Sequence, residues 1–295
     1  MGENFADRLL AAIDARSPVC VGLDPVYERL PGPLLAAASD EQGRVEAIGA
    51  FCRAVLDAVA PAVPAVKLQI ACFEVYRESG TKLYFDLVAE ARRAGLIVIG
   101  DVKRGDIAST AYAYAAAHLG HAMAPDAITV NGYFGADGLE PFISAARDSG
   151  SGVFVLVRTS NPSAAAVQDF ADSSGRRFYE HIAEQVAELG SGEGLVGSRG
   201  YSCVGAVVGA TYPQQARRLR EIMPQQIFLV PGYGAQGATA ADCAAAFNAD
   251  GTGAIVNASR SVIYAYDRSR ASDWKKAVAD AAKSFASKMA AAVRR

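Results

Sequence analysis

The stretch Ile99-Gly100-Asp101-Val102-Lys103-Arg104-Gly105-Asp106-Ile107-Ala108-Ser109-Thr110 sets one lysine between two acids. On an extended strand, residues two apart share a side, so Asp101 and Lys103 face the same way. Asp106 follows where it can cap a helix predicted over 110–119. An ion pair plus a helix cap would account for this pattern without any chemistry. The functional alternative is an ammonium group held charged and oriented by carboxylates, able to stabilise a developing anion and to hand over a proton. Lys67, in Val66-Lys67-Leu68-Gln69, and Asp24, in Gly22-Leu23-Asp24-Pro25, close other apolar runs.

The elements that must position these groups are legible as short β-branched runs, at 19–23, 65–68, 96–100, 127–130, 152–157, 205–208, 227–230 and 254–256. Amphipathic segments predict helices over 45–60, 73–94, 138–149, 176–189 and 213–223, and an alanine-rich final helix runs over 274–295. Strands that read as continuous apolar runs are buried on both faces, which means a parallel sheet. Strands alternating with helices in this number predict an α/β fold, the (β/α)8 or TIM barrel; a doubly wound open sheet is the rival. No linker or compositional shift divides residues 1–295, so a single domain is expected. Long loops are expected at 160–175 and at 190–200. The second contains Gly192-x-Gly194-x-x-Gly197, but between a helix and a strand, the wrong context for a dinucleotide fingerprint, and it reads as a flexible connection.

A barrel places its chemistry at the C-terminal ends of its strands. The residues there are Asp24, Lys67, Asp101 with Lys103, Asn131, Thr159 with Ser160, Thr211, Pro231-Gly232, and Asn257 through Ser259 and Arg260. Converging on one mouth, they suit a polar, anionic small molecule. Pro231-Gly232-Tyr233-Gly234-Ala235-Gln236-Gly237 could be a tight turn, but ahead of Arg260 it is placed where barrels hold phosphate.

The net charge of −2, with no basic block, gives nucleic acid or an anionic membrane no handle. The N-terminus is acidic where a signal peptide would be basic and then apolar, and no apolar run has the length of a membrane span. Five scattered cysteines without a CxxC argue against disulfides and zinc. Cytoplasm is the expected location. His118 and His121 could in principle share a metal, but the chain has only 3 histidines, and no metal site is expected.

Over nearly its whole length the sequence resembles the orotidine 5'-phosphate decarboxylase family. Asp101, Lys103 and Asp106 match the family's Asp-x-Lys-x-x-Asp signature, and Lys67 falls at its second-strand lysine. The resemblance implies an alternating array Lys67–Asp101–Lys103–Asp106 as the catalytic set. It also implies a homodimer with shared active sites, in which Asp106, Ile107 and Thr110 reach the partner's substrate. Asp24 then contacts the ribose, Thr159 and Ser160 open the pyrimidine-binding loop, and Pro231, Gln236, Ser259 and Arg260 belong to the phosphate grip. Asn131 is a further substrate-binding candidate. The expected reaction converts orotidine 5'-phosphate to UMP and CO2 without cofactor or metal. Compact members carry Gly where this chain has Ser259, and the extra length resembles a longer bacterial branch. Two rivals remain: a metal-dependent sugar-phosphate decarboxylase or aldolase with the same signature, and a non-catalytic nucleotide-binding barrel.

Overall fold

The computed structural model describes residues 3–36, 40–269 and 273–294. Its strands are β1 (Val19–Leu23), β2 (Ala65–Gln69), β3 (Ile97–Arg104), β4 (Ala127–Asn131), β5 (Gly152–Arg158), β6 (Ser202–Val208), β7 (Gln226–Pro231) and β8 (Ala254–Ala258). They pair in chain order, all in parallel, and β8 returns to β1 to close the barrel. The expected barrel is therefore the observed one. β1 and β6 are buried at every residue, as two-sided packing requires of runs such as Val-Cys-Val-Gly-Leu.

Small residues inside the strands make room for large rings. A Cβ on Gly205 would sit 2.8 Å from the Phe154 ring, and one on Gly152 would sit 2.2 Å from Phe5. Phe5 meets Phe154 edge-on, centroids 5.9 Å apart. The helix Phe5–Ala15 thus stoppers the N-terminal end of the barrel, opposite the mouth where the charged residues gather.

Three expectations need revision. The helix expected over 73–94 is interrupted: Ala71–Glu74 and Arg77–Arg93 are separate, with Arg77 at φ +55°. A Cβ on Gly80 would lie 2.0 Å from the Phe73 carbonyl, so the chain doubles back on itself there. The 190–200 connection is tied down, contrary to its reading as a flexible one. Asp7 accepts hydrogen bonds from Ser198 N (2.7 Å), Ser198 Oγ (2.9 Å) and Arg199 N (3.0 Å), and Asn4 Nδ2 donates to Leu195 O. Third, Asp106 does not cap the helix Ala108–His118: among the described residues its Oδ1 accepts only from Ile107 N, and Ile107, whose side chain cannot accept, holds the N-cap position.

Candidate active site

Asp101 organises the mouth. Near the end of β3, it receives Lys67 Nζ at 2.7 Å and Lys103 Nζ at 2.5 Å, one on each oxygen. Gln69 Nε2 donates to Oδ2 at 3.0 Å and Thr129 Oγ1 to Oδ1 at 3.0 Å. Lys67 also lies 3.6 Å from Asp24 Oδ1, so β1, β2 and β3 contribute a continuous run of alternating charge. Neutralisation by position is what makes this burial tolerable, because a buried charge without its partner costs several kcal/mol.

The electrostatics follow from that packing. Burial alone would raise the Asp101 pKa, but the two ammonium groups outweigh it and hold the carboxyl at about 2. Burial opposes the charge on Lys67, yet Asp24 and Asp101 push its pKa above the ordinary lysine value. Both groups are therefore ionised at neutral pH. Lys103 is the exposed member, its side chain 47% accessible against 6% for Lys67, so its ammonium stands toward incoming ligand.

Strand alternation alone does not place Lys103. The β3–β4 register breaks between Gly100 and Arg104, and Lys103 has φ +45°. Its backbone N–H donates to Thr129 Oγ1 at 2.9 Å, holding that conformation. A left-handed non-glycine residue costs on the order of 1 kcal/mol and persists where its surroundings over-determine it.

A cavity of about 270 Å³ opens above this array. Asp24, Lys67, Asp101, Lys103, Thr159, Ser160, Pro231, Gln236, Ser259 and Arg260 all line it, so the structure brings these expected residues together. Leu156, Val207 and Leu229 form an apolar wall, with Asn257 among the polar lining. Gly232 (φ +117°), Gly234 (φ +70°) and Gly237 (φ +91°) let the loop after β7 turn back across the mouth. Tyr233 of that loop stacks on Phe285 of the final helix, Trp274–Val293, at 4.6 Å. Ser259 has φ −112°, outside the left-handed region, so the serine sits there without the strain that would demand glycine. Arg260 is exposed and makes no ion pair among the described residues.

Five expected residues stand apart from the cavity lining, Thr211 after β6 among them. Asn131 is exposed and accepts from Tyr133 N, while Thr129, earlier on the same strand, supplies the inward side chain of β4. Asp106, Ile107 and Thr110 lie outside the lining in the single chain, and Ile107 is 53% exposed. Sequence reasoning missed Gln69 and Thr129 as ligands of Asp101. The available signal was the two-residue period, counted back from Asn131 and forward from Lys67.

A sequence profile of the orotidine 5'-phosphate decarboxylase / HUMPS family matches residues 17–273. An orotidine 5'-phosphate decarboxylase of Rhodopirellula baltica is 45% identical, covering 93% of this chain and 95% of its own. Another, from Deinococcus radiodurans, is 46% identical over 86% of each chain. The structure of Leishmania donovani OMP decarboxylase superposes with TM-score 0.75 at 32% identity, over 99% of this chain and 100% of that one. A Methanocaldococcus jannaschii orotidine 5'-monophosphate decarboxylase complexed with the inhibitor BMP shares the fold, with TM-score 0.63 at 17% identity, over 92% of this chain and 98% of that one. With profile, relatives and a closed barrel in agreement over most of its length, the chain belongs to the orotidine 5'-phosphate decarboxylase / HUMPS family.

Proposed function

We propose that this protein, as one barrel domain, decarboxylates orotidine 5'-phosphate to UMP and CO2, the last step in making a pyrimidine nucleotide. The observation that carries the reading is an exposed ammonium, Lys103, fixed by a buried carboxylate beside an apolar wall. When the bond from ring carbon 6 to the carboxylate breaks, its electron pair stays on that carbon. The Lys103 ammonium faces this charge in a site that Leu156, Val207 and Leu229 keep low in dielectric, which strengthens the attraction. Lys103 then gives carbon 6 its proton and recovers one from solvent. Asp101, with its carboxyl held at about 2, remains the anchor throughout and takes no proton at neutral pH.

In this reading Ser160 meets the base and Gln236 with Arg260 hold the phosphate, where Arg offers a planar fork of donors. Binding energy from that remote group can order the site around the reacting carbon. Asp106, Ile107 and Thr110 serve the site of a second copy. The surface beside them supports this: Ile107, Tyr112, Tyr133 and Phe134 are exposed at 53%, 58%, 71% and 40%, an apolar face that a second copy would cover. No helix among the described residues is long and apolar enough to cross a membrane, and the cysteines are free, in keeping with a cytoplasmic enzyme.

The test is the loss of orotidine 5'-phosphate absorbance with wild-type protein and Lys103→Ala. Turnover should fall at least ~10³-fold, the scale of losing an oxyanion donor, while UMP binding weakens far less. Wild-type activity should be indifferent to EDTA. A variant retaining a tenth of the turnover, or an activity that EDTA abolishes, would sink the assignment.

A further inference from the structure

Arg158, the last residue of β5, is fully buried, with 0% of its side chain exposed. Its Nε donates to Gln215 Oε1 at 2.6 Å and its Nη1 to Gln168 Oε1 at 2.8 Å. Asp169 Oδ1 lies 3.4 Å from Nη2, and the guanidinium carbon stands 4.6 Å from the Tyr212 ring centroid. Burying a guanidinium is costly, and an apolar side chain of similar volume is often at least as stabilising in such a place. The direction of its contacts explains the choice: Gln168 and Asp169 belong to the loop after β5, the segment that carries Ser160 into the cavity.

Gln168 passes the constraint on. Its Oε1 also accepts from Thr159 N at 3.0 Å, and its Nε2 donates to Thr159 Oγ1 at 2.8 Å. Thr159 Oγ1 in turn donates to Asn161 Oδ1 at 2.7 Å. From the other side, Gly209 N donates to Arg158 O at 2.8 Å, and a Cβ on Gly209 would lie 3.1 Å from Ser160 Cβ. Ser160 is thus held between a glycine that leaves it just enough room and a threonine clamped by three hydrogen bonds through its N and Oγ1.

We propose that Arg158, acting through Gln168, is the positioning residue that fixes Ser160 for recognition of the substrate's base. It touches no ligand itself; it sets the geometry of the residues that do, as supporting hydrogen bonds do in other sites. The proposal rests on the reading of Ser160 as the base contact, and the experiment separates the two.

Replacing Arg158 directly risks unfolding, so the test is made at Gln168, with thermal unfolding of the ligand-free protein as control. Two probes are titrated: UMP, and ribose 5-phosphate, which has sugar and phosphate but no base. Gln168→Leu should weaken UMP and lower kcat/KM roughly tenfold, about one hydrogen bond's worth, and leave ribose 5-phosphate affinity unchanged. Gln168→Glu, which keeps the acceptor for Arg158 and Thr159 N, should restore most of the loss. Ser160→Ala runs in parallel and should show the same selective loss of UMP. If Ser160→Ala leaves the preference for UMP over ribose 5-phosphate intact, the base-contact reading fails and this proposal with it. If Ser160→Ala reduces the preference and Gln168→Leu does not, the positioning role alone is overturned. If Gln168→Leu weakens both probes equally and lowers the ligand-free Tm, Arg158 is a structural residue and the proposal is wrong.

Discussion

Asp101 shows how one carboxylate sets both stability and chemistry. Its folded-state pKa of about 2 is below the ordinary value near 3.8, so the stabilisation it contributes is complete above pH 4. It is lost as pH falls toward 2, where the folded protein must take up the proton. Asp101→Asn leaves Asp24, 3.6 Å away, as the one charged partner of the buried Lys67 ammonium among the described residues. Removing one member of a buried pair typically costs 3–5 kcal/mol, so the variant should be destabilised by about that much at neutral pH. The gap should narrow between pH 4 and pH 2, because the wild type then loses its own charge at this position. Denaturant unfolding of both proteins across that range checks it, and a gap that stays constant would contradict the assigned ionisation.

The N-terminal helix, Phe5–Ala15, works at the opposite end of the molecule from the mouth, and its effects should be separable from catalysis. Asp7→Ala removes the acceptor for Ser198 N, Ser198 Oγ and Arg199 N, leaving those donors to water. Each such bond is worth about 0.5–1.5 kcal/mol net, so a loss of roughly 1–3 kcal/mol in unfolding free energy is expected, with kcat unchanged. A fall in kcat at full folding would show that the stopper communicates with the mouth. Contacts of this kind could not be read from the sequence, since Asp7 and Ser198 are 191 residues apart and neither belongs to a periodic pattern. The strands were legible because two-sided burial writes itself as β-branched runs. Asp101 and Lys103 were legible because they are near neighbours in the chain. Arg158 was not, because a charged residue after Phe-Val-Leu-Val reads as the point where a strand meets solvent; here it is the last residue of the strand and the charge is buried. The bulge that aims Lys103 was equally silent, because a left-handed lysine has no compositional mark.

At the scale of the assembly, Asp106 and Thr110 stand outside the cavity of their own chain, beside an exposed apolar face. If each copy completes its neighbour's site, mixing Lys103→Ala with Asp106→Ala should regenerate activity, because a heterodimer then owns one site with both native residues. Recovered turnover after subunit exchange is the expected result; none, with exchange demonstrated, would mean that each chain builds its site alone. The closure of the barrel also bears on how the protein comes into being. Val19 and Cys20 of β1 pair with Val256 and Asn257 of β8. A chain that has not yet formed β8 therefore leaves the edge of β1, Val-Cys-Val-Gly-Leu, unpaired, the kind of apolar edge that templates aggregation. Arg260 and the helix that braces Tyr233 follow β8 in the chain, so the proposed phosphate grip is completed only after the last strand. On the proposed function, a nascent or truncated chain lacking those residues would keep the lysine–aspartate array but not the groups assigned to the phosphate, and substrate would offer it no protection until Arg260 and the helix behind Tyr233 are in place.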